Sequence, residues 1–202
     1  MDLKEKIRAI PDFPQKGVIF RDITTLLKDA DSLREAVDRL QQELEGLEFD
    51  LILGPESRGF IFGMPLAYHL KKGFVPVRKK GKLPAEVIRQ EYALEYGTAT
   101  IEMHRDAVQS GQKVVIVDDL LATGGTAKAL VEMVERAGGT VVALDFLIEL
   151  DGLKGRQVLA GYDVHSVLHY RNEYPGRNKW TGRPCVRISE ACGMSASGEN
   201  HV

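Results

Sequence analysis

The sequence predicts an α/β fold in which helices flank a doubly wound, mainly parallel sheet with a small N-terminal hood. Strand-like runs alternate with amphipathic helical patterns, as in βαβ units. The runs 114–117 and 140–150 are mostly apolar, as in strands covered on both faces. With 202 residues and 44% hydrophobic residues, the chain suits one domain. We assign residues 1–170 to this domain and 171–202 to an extension.

Local patterns predict each element in chain order. Residues 3–9 form a short helix, and Pro11 and Pro14 impose an extended path after it. Ser32 and Glu35 form a capping-box pattern, so a helix is expected from there to about residue 45. The other predicted elements are strands at 49–53, 74–78, 114–117, 140–150 and 164–170, a hairpin-like pair at 86–93 and 98–103, and helices from the turn 54–59 to Lys71 and from Ala127 to Gly138.

Residues 171–202 differ in composition from the rest of the chain. They contain the only tryptophan and both cysteines, Cys185 and Cys192, and no periodicity is visible. We expect this extension to be mostly disordered. A cysteine-based metal or redox site is the alternative, but two cysteines separated by six residues, with one distant histidine, make a poor ligand set.

Charge and hydropathy exclude some classes of partner. The net charge of −2 gives no reason to expect nucleic-acid binding. No apolar run reaches the length of a membrane span, and the N-terminus lacks the pattern of a signal peptide. The sequence therefore favours a soluble, cytoplasmic protein with no membrane partner.

The segment 114–126 carries the strongest functional signal. A buried strand is followed by Asp118 and Asp119, then by Thr-Gly-Gly-Thr at 123–126, and a helix begins at once. Ligands of open α/β sheets bind at the carboxyl ends of strands, and a glycine turn at a helix N-terminus binds anions. The two carboxylates suit hydroxyls or a metal instead. The segment therefore predicts a site for ribose 5-phosphate.

Other readings of this segment are weaker. It lacks the Gly-Lys-Ser/Thr of a Walker loop, and the Gly-x-Gly-x-x-Gly of a dinucleotide site is missing. An ordinary strand–turn–helix junction with incidental acids remains an alternative. Thr126 by itself could also be the helix N-cap, a role compatible with phosphate binding.

Four segments together resemble a known family. They are residues 17–23, 54–60, 91–97 and 118–126, and their order and content resemble the motifs of the adenine phosphoribosyltransferases, in the type I phosphoribosyltransferase family. The resemblance covers residues 1 to about 170. It implies a purine salvage enzyme that transfers ribose 5-phosphate from phosphoribosyl pyrophosphate (PRPP) to adenine, giving AMP and pyrophosphate, with residues 1–25 as the hood over the base.

Two departures from the 6-oxopurine relatives favour adenine. Those relatives carry an acid where this chain has Ala122, and a lysine in the strand that corresponds to 140–150, which has none here. A lysine donor suits an exocyclic oxygen and disfavours an amino group. A phosphoribosyltransferase for another purine, or a non-catalytic regulator that senses PRPP, remains the alternative function.

The resemblance also implies how PRPP is bound. Asp118 and Asp119 would face the ribose hydroxyls, and the 5-phosphate would contact Ala122, Thr123, Gly124, Gly125 and Thr126. The pyrophosphate would contact Glu56, Ser57, Arg58, Arg78, Lys79 and Lys82, with Arg78 available to the neighbouring subunit of a homodimer. The alternatives are a surface arginine in a turn for Arg58 and a solvated cluster for residues 78–82.

The remaining roles concern the base and the chemistry. The resemblance implies catalytic roles for Glu95 and Arg58, with Glu95 managing the proton of adenine. Adenine would contact Ile19, Phe20, Arg21 and Leu150. Plain core packing is the alternative for Phe20 and Leu150, and a solvated loop acid for Glu95. Mg²⁺ is the expected cofactor, held by pyrophosphate, ribose and water rather than by protein side chains.

Overall fold

The computed structural model describes residues 1–93 and 98–171. Its strands are β1 Arg8–Pro11, β2 Ile19–Asp22, β3 Leu51–Pro55, β4 Gly73–Lys79, β5 Val87–Ala93, β6 Thr98–His104, β7 Lys113–Leu121, β8 Thr140–Leu150 and β9 Val164–Tyr170. Its α-helices are α1 Thr24–Leu27, α2 Ala30–Glu43, α3 Arg58–Leu70, α4 Gly125–Arg136 and α5 Gly155–Val158. Short 3-10 helices occupy Leu3–Lys6 and Asp151–Leu153. The predicted extension beyond Arg171 lies outside the described residues.

The central sheet has seven strands in the order β5-β6-β4-β3-β7-β8-β9. The pairs from β4 through β3, β7 and β8 to β9 are parallel, whereas β6 is antiparallel to both β4 and β5. This arrangement confirms the predicted mainly parallel sheet. Because β3, β4, β7, β8 and β9 run in one direction, their carboxyl ends meet at one edge, where the predicted ligand residues lie.

Both faces of the sheet are covered, which is why its strands are apolar. Side chains alternate along β7: Val115 and Val117 join the core under α2 and α3, and Val114 and Ile116 join the core under α4. All four are fully buried. The apolar spacing of the flanking helices provides the complementary faces.

The predicted helix over residues 3–9 is wrong. Only Leu3–Lys6 form a 3-10 turn, after which β1 pairs antiparallel with β2, with Ile10 opposite Phe20. The pairing with a distant segment overrides a weak local helical pattern. The two strands form a small sheet separate from the main one, within the segment assigned to the hood.

Two predicted helix starts also need correction. The Ser32 capping box is wrong, because α2 begins at Ala30 and the carboxylate of Asp29 accepts hydrogen bonds from the N–H groups of Asp31 and Ser32. Thr126 is not an N-cap either: α4 begins at Gly125, and the capping residue is Gly124. Helices α1 and α5 were not indicated by any sequence pattern.

The predicted hairpin-like pair forms one edge of the sheet. Strands β5 and β6 share seven residue pairs, from Val87 opposite His104 to Ala93 opposite Thr98. Only two pairs attach β6 to β4: Arg78 with Glu102 and Lys79 with Ile101. In residues 1–93 and 98–171 no helix is both long and apolar enough to cross a bilayer.

Candidate active site

A cavity of about 170 Å³ opens where β7 ends. It brings together most of the residues predicted to bind the ribose phosphate. The predicted residues in its lining are Arg58, Asp118, Asp119, Ala122, Thr123, Gly124 and Thr126. Leu130 and Phe146 form part of its apolar wall. The cavity can therefore accept a ligand that has a small polar group on one side and an apolar group on the other.

Residues 122–126, named here the phosphate bend, join β7 to α4. Gly124 has a φ of +85°, in the left-handed region that favours glycine. The first hydrogen bond of α4 runs from Lys128 N to Gly124 O at 2.9 Å, so the N–H groups of Gly125 and Thr126 precede the helical ladder. Such groups, together with the helix dipole, can bind a phosphate.

Asp118 and Asp119 carry the negative charge of the cavity. The side chain of Asp119 is 3% exposed, and its Oδ2 lies 3.1 Å from Nη1 of Arg58. Burial raises the pKa of Asp118 well above its usual value, and the neighbouring charge of Asp119 raises it further. Burial also raises the pKa of Asp119, against the opposing charge of Arg58. The pair can accept hydrogen bonds from a diol, or stand beside a positively charged ligand atom.

A second cavity, of about 300 Å³, adjoins the first through Thr126. Its lining includes the predicted residues Glu56 and Lys79 and also Lys80. Oε2 of Glu56 accepts hydrogen bonds from Nε of Arg78 at 2.9 Å and from the backbone N–H of Lys79 at 3.1 Å. These hydrogen bonds hold the pKa of Glu56 below its usual value.

The side chains predicted for pyrophosphate lie in a more open region than the phosphate bend. We call residues 78–82 the cationic segment. Lys79 and Lys82 are exposed and Arg78 is half-buried, while Ser57 is exposed at the start of α3. The backbone N–H of Gly81 donates to Oε2 of Glu102 at 2.8 Å. Glu102 is buried and was missed by sequence reasoning, because its partners Gly81 and Arg89 are brought to it by the sheet.

The residues predicted for adenine lie around Arg58 and Tyr170. The guanidinium of Arg58 is 5.8 Å from the ring centre of Phe20, and that of Arg21 is 4.1 Å from the ring centre of Tyr170. Leu150 is buried at the end of β8, opposite Tyr170 of β9. Ile19 precedes Phe20 in β2. The hood therefore approaches α3 through Phe20 and Arg58, and approaches β9 through Arg21 and Tyr170. Glu95 lies outside the described residues.

A cluster of possible metal ligands lies outside the lining of this cavity and does not suit a cation. Among the described residues, Glu149, Asp151 and His169 each place a ligand atom within 4.8 Å of the others. Both oxygens of Glu149 already accept hydrogen bonds from Arg156, and Oδ2 of Asp151 lies 3.2 Å from Nε of Arg171. With two arginines bound to its carboxylates, this group does not fit a divalent cation.

Comparisons with known proteins identify the family to which this chain belongs. Residues 23–166 match the phosphoribosyl transferase domain family. The adenine phosphoribosyltransferase of Lachnoclostridium phytofermentans is 61% identical over 168 residues, covering 83% of this chain and 97% of that relative. The chain therefore belongs to the adenine phosphoribosyltransferase family. The enzyme of that name from Thermosipho africanus is 58% identical over 168 residues, covering 83% of this chain and 99% of its own length.

Solved structures of the adenine phosphoribosyltransferase family share this fold. The protein from Thermoanaerobacter pseudethanolicus superposes with a TM-score of 0.82 at 57% identity, covering 84% of this chain and 98% of its own. The Saccharomyces cerevisiae protein, in complex with adenine and an imino-altritol bisphosphate, gives a TM-score of 0.77 at 38% identity, covering 83% of this chain and 97% of its own. The predicted fold class and family are thereby confirmed.

Proposed function

We propose that this protein is a purine salvage enzyme that transfers ribose 5-phosphate from PRPP to adenine, releasing AMP and pyrophosphate. The observation that carries the proposal is the cavity in which the phosphate bend adjoins the carboxylates of Asp118 and Asp119, the second of which is buried. That cavity suits a phosphate and a ribose diol held side by side. Membership of the adenine phosphoribosyltransferase family supports the same substrates.

The ribose end would work by positioning and electrostatics. The N–H groups of the phosphate bend and the hydroxyls of Thr123 and Thr126 bind the 5-phosphate, while Asp118 and Asp119 accept hydrogen bonds from the diol. As the bond between C1 of the ribose and the pyrophosphate oxygen breaks, positive charge develops on the sugar. The two carboxylates stabilise that charge, since they lie in a partly enclosed site where electrostatic interactions are strong.

The pyrophosphate would leave into the second cavity. Lys79, Lys82 and the backbone of Glu56 and Ser57 would contact it, and Arg58 would contact it from the lining of the first cavity. When bound with PRPP, Mg²⁺ would neutralise part of the charge on the leaving group. The donor set fits such a cation beside the site, because within residues 1–93 and 98–171 Asp119 pairs with Arg58 and Asp118 forms no ion pair. We expect its direct ligands to be oxygens of pyrophosphate, ribose and water.

The base would lie between Phe20 and Leu150. Stacking on an aromatic ring contributes about 1–3 kcal/mol per base in nucleic-acid sites. Backbone groups of Ile19 and Arg21 would bind the edge of the purine, and the absence of lysine from β8 favours adenine over a 6-oxopurine. Glu95 would take the proton that leaves the imidazole ring as the new bond between nitrogen and C1 forms.

A homodimer in the cytoplasm completes the proposal. Helix α3 presents Met64 and Tyr68, which lie one turn apart and are 51% and 80% exposed. Two large apolar side chains on one exposed face suit contact with a second copy of the chain. Arg78 would then reach the neighbouring site. Light scattering on the purified protein measures the oligomeric state, and a monomer would remove the homodimer from the proposal.

The experiment that tests the activity compares bases. The protein is mixed with PRPP, Mg²⁺ and one of adenine, guanine or hypoxanthine, and product is followed by ultraviolet absorbance. We expect AMP from adenine and little product from the other two. Turnover with guanine but not adenine would assign a different purine, and binding of PRPP without turnover of any base would indicate a regulator.

A further inference from the structure

A short segment behind the phosphate bend contacts it backbone to backbone. Residues 151–159, named here the strap, leave β8 and include α5. A Cβ atom placed on Gly155 would lie 2.3 Å from the carbonyl oxygen of Ala122, and one on Gly124 would lie 2.7 Å from the carbonyl oxygen of Gly155. Because Gly155 and Gly124 have no side chains, the two backbones lie in close contact, and a displacement of the strap displaces the phosphate bend.

Arg156 fixes the strap to the ends of two strands. Its Nε and Nη2 donate hydrogen bonds to Oε1 and Oε2 of Glu149, at 3.1 and 2.6 Å. Its Nη1 donates to the carbonyl oxygen of Val164, at 2.5 Å. The planar guanidinium thus joins the strap to β8 and β9 with a geometry that a single ammonium group does not reproduce.

Glu149 and Arg156 form an ion pair, and the buried charge of Glu149 depends on the charge of Arg156. The side chain of Glu149 is 7% exposed, whereas that of Arg156 is 45% exposed. Burial would raise the pKa of Glu149, but hydrogen bonds from Arg156 and Ser166, together with the charges of Arg156 and His169, outweigh burial and lower it. The hydrogen bonds to Glu149 in turn raise the pKa of Arg156. Among the described residues, removal of Arg156 would leave this buried carboxylate with His169, whose Nδ1 lies 3.8 Å from Oε2, as its ionic partner.

We propose that Arg156, held by Glu149, is a positioning residue that keeps the phosphate bend in its binding geometry and so sets the KM for PRPP. The proposal rests on the function proposed above. Arg156 acts through Gly155 and the bend and touches neither substrate. Because the bend would grip the 5-phosphate in the ground state and the transition state alike, its loosening raises KM more than it lowers kcat.

The test is the kinetics of Arg156→Ala with adenine, PRPP and Mg²⁺. We expect the KM for PRPP to rise about tenfold, since small misplacements of binding groups are costly, with kcat within about threefold of wild type. Arg156→Lys should restore part of the loss, because lysine keeps the charge but contacts fewer acceptors. Calorimetric titration with AMP measures binding independently of turnover. It should show the weakest binding for Arg156→Ala, intermediate binding for Arg156→Lys and the tightest binding for wild type.

Arg39→Ala is the matched control. Arg39 also donates through Nε and Nη2 to a glutamate, Glu35, but on α2. Its kinetics should equal those of wild type. An unchanged KM for PRPP in folded Arg156→Ala, or a kcat that falls with KM unchanged, would overturn the positioning role. If that variant does not fold, Glu149→Gln is judged by the same criteria. An inactive wild type would instead overturn the proposed function.

Discussion

At the end of β7 the two carboxylates and the phosphate bend lie in a partly enclosed cavity, whereas at the end of β4 the cationic segment is largely open to solvent. Burial raises the pKa of Asp118 and Asp119 in the first region. Arginine partners lower the pKa of Glu56 and Glu102 in the second. The comparison indicates that binding at the ribose end depends on enclosure from solvent. Binding at the pyrophosphate end depends on ion pairs in which a ligand can replace one partner.

The largest effect is expected from Glu95, whose position in the sequence falls between β5 and β6. Glu95→Gln removes the proposed proton acceptor while keeping a similar shape. The kcat should fall about 100-fold or more, with a smaller change in either KM. Steady-state kinetics measure the change, and Glu91→Gln in β5 is the control. An unchanged kcat would exclude Glu95 from proton transfer and would leave the residues at the end of β7 as the proposed catalytic groups.

A somewhat smaller loss of activity is expected from a substitution in the enclosed cavity at the end of β7. Asp119→Asn keeps the volume of the side chain but removes the charge that faces Arg58 and, in our proposal, the sugar. We expect kcat/KM for PRPP to fall about 100-fold, as when one preorganised electrostatic group is lost. Circular dichroism checks that the fold is kept. Wild-type kinetics would contradict the placement of the diol against these carboxylates.

A few-fold effect is expected at the open end. Glu56→Gln removes the carboxylate that competes with pyrophosphate for Arg78, so the KM for PRPP should fall, by less than about fivefold, because an ion pair that solvent can reach is weak. The difference should shrink at high salt, since screening weakens exposed charges. Glu86→Gln, whose partner Arg105 lies elsewhere on the hairpin, is the control. A KM that rises would instead mean that Glu56 chiefly orients Arg78.

The smallest effects are opposite slopes of stability with pH. Folded Asp118 keeps its proton above the usual pKa of 3.8, so the free energy of unfolding of wild type relative to Asp118→Asn should fall as pH rises above that value. For Glu56, whose folded pKa is lowered from 4.5, the difference from Glu56→Gln should be lost as pH falls through the folded pKa. Urea unfolding at several pH values measures both. If the two differences in unfolding free energy changed with pH in the same direction, the proposed electrostatic difference between the two regions would be wrong.

Sequence patterns predicted the strands better than the contacts between them. The predicted ranges 140–150 and 164–170 coincide with β8 and β9, because long apolar runs with clear ends leave little choice of structure. The run 3–9 was misassigned, since the pairing of β1 with β2 joins distant residues. The residues of the phosphate bend were recognisable from one continuous motif.

The support for that motif was not recognisable from the sequence. Gly155 and Arg156 matter because the fold places them against Gly124 and Glu149, and no local spacing records such contacts. The same holds for the pairing of Glu56 with Arg78, which lie 22 positions apart. A resemblance of motifs can indicate which groups meet a ligand, whereas the groups that hold them in place follow from tertiary packing.

The way the β5–β6 hairpin is attached has a mechanical consequence. Its two strands are joined by seven residue pairs and form a stiff unit, but only two pairs connect it to β4. On its other side, Gln90 forms polar contacts with Glu132 and Arg136 of α4. The junction between β4 and β6 is therefore the narrowest in the central sheet, and the contacts of Gln90 with α4 supply a second attachment for the hairpin.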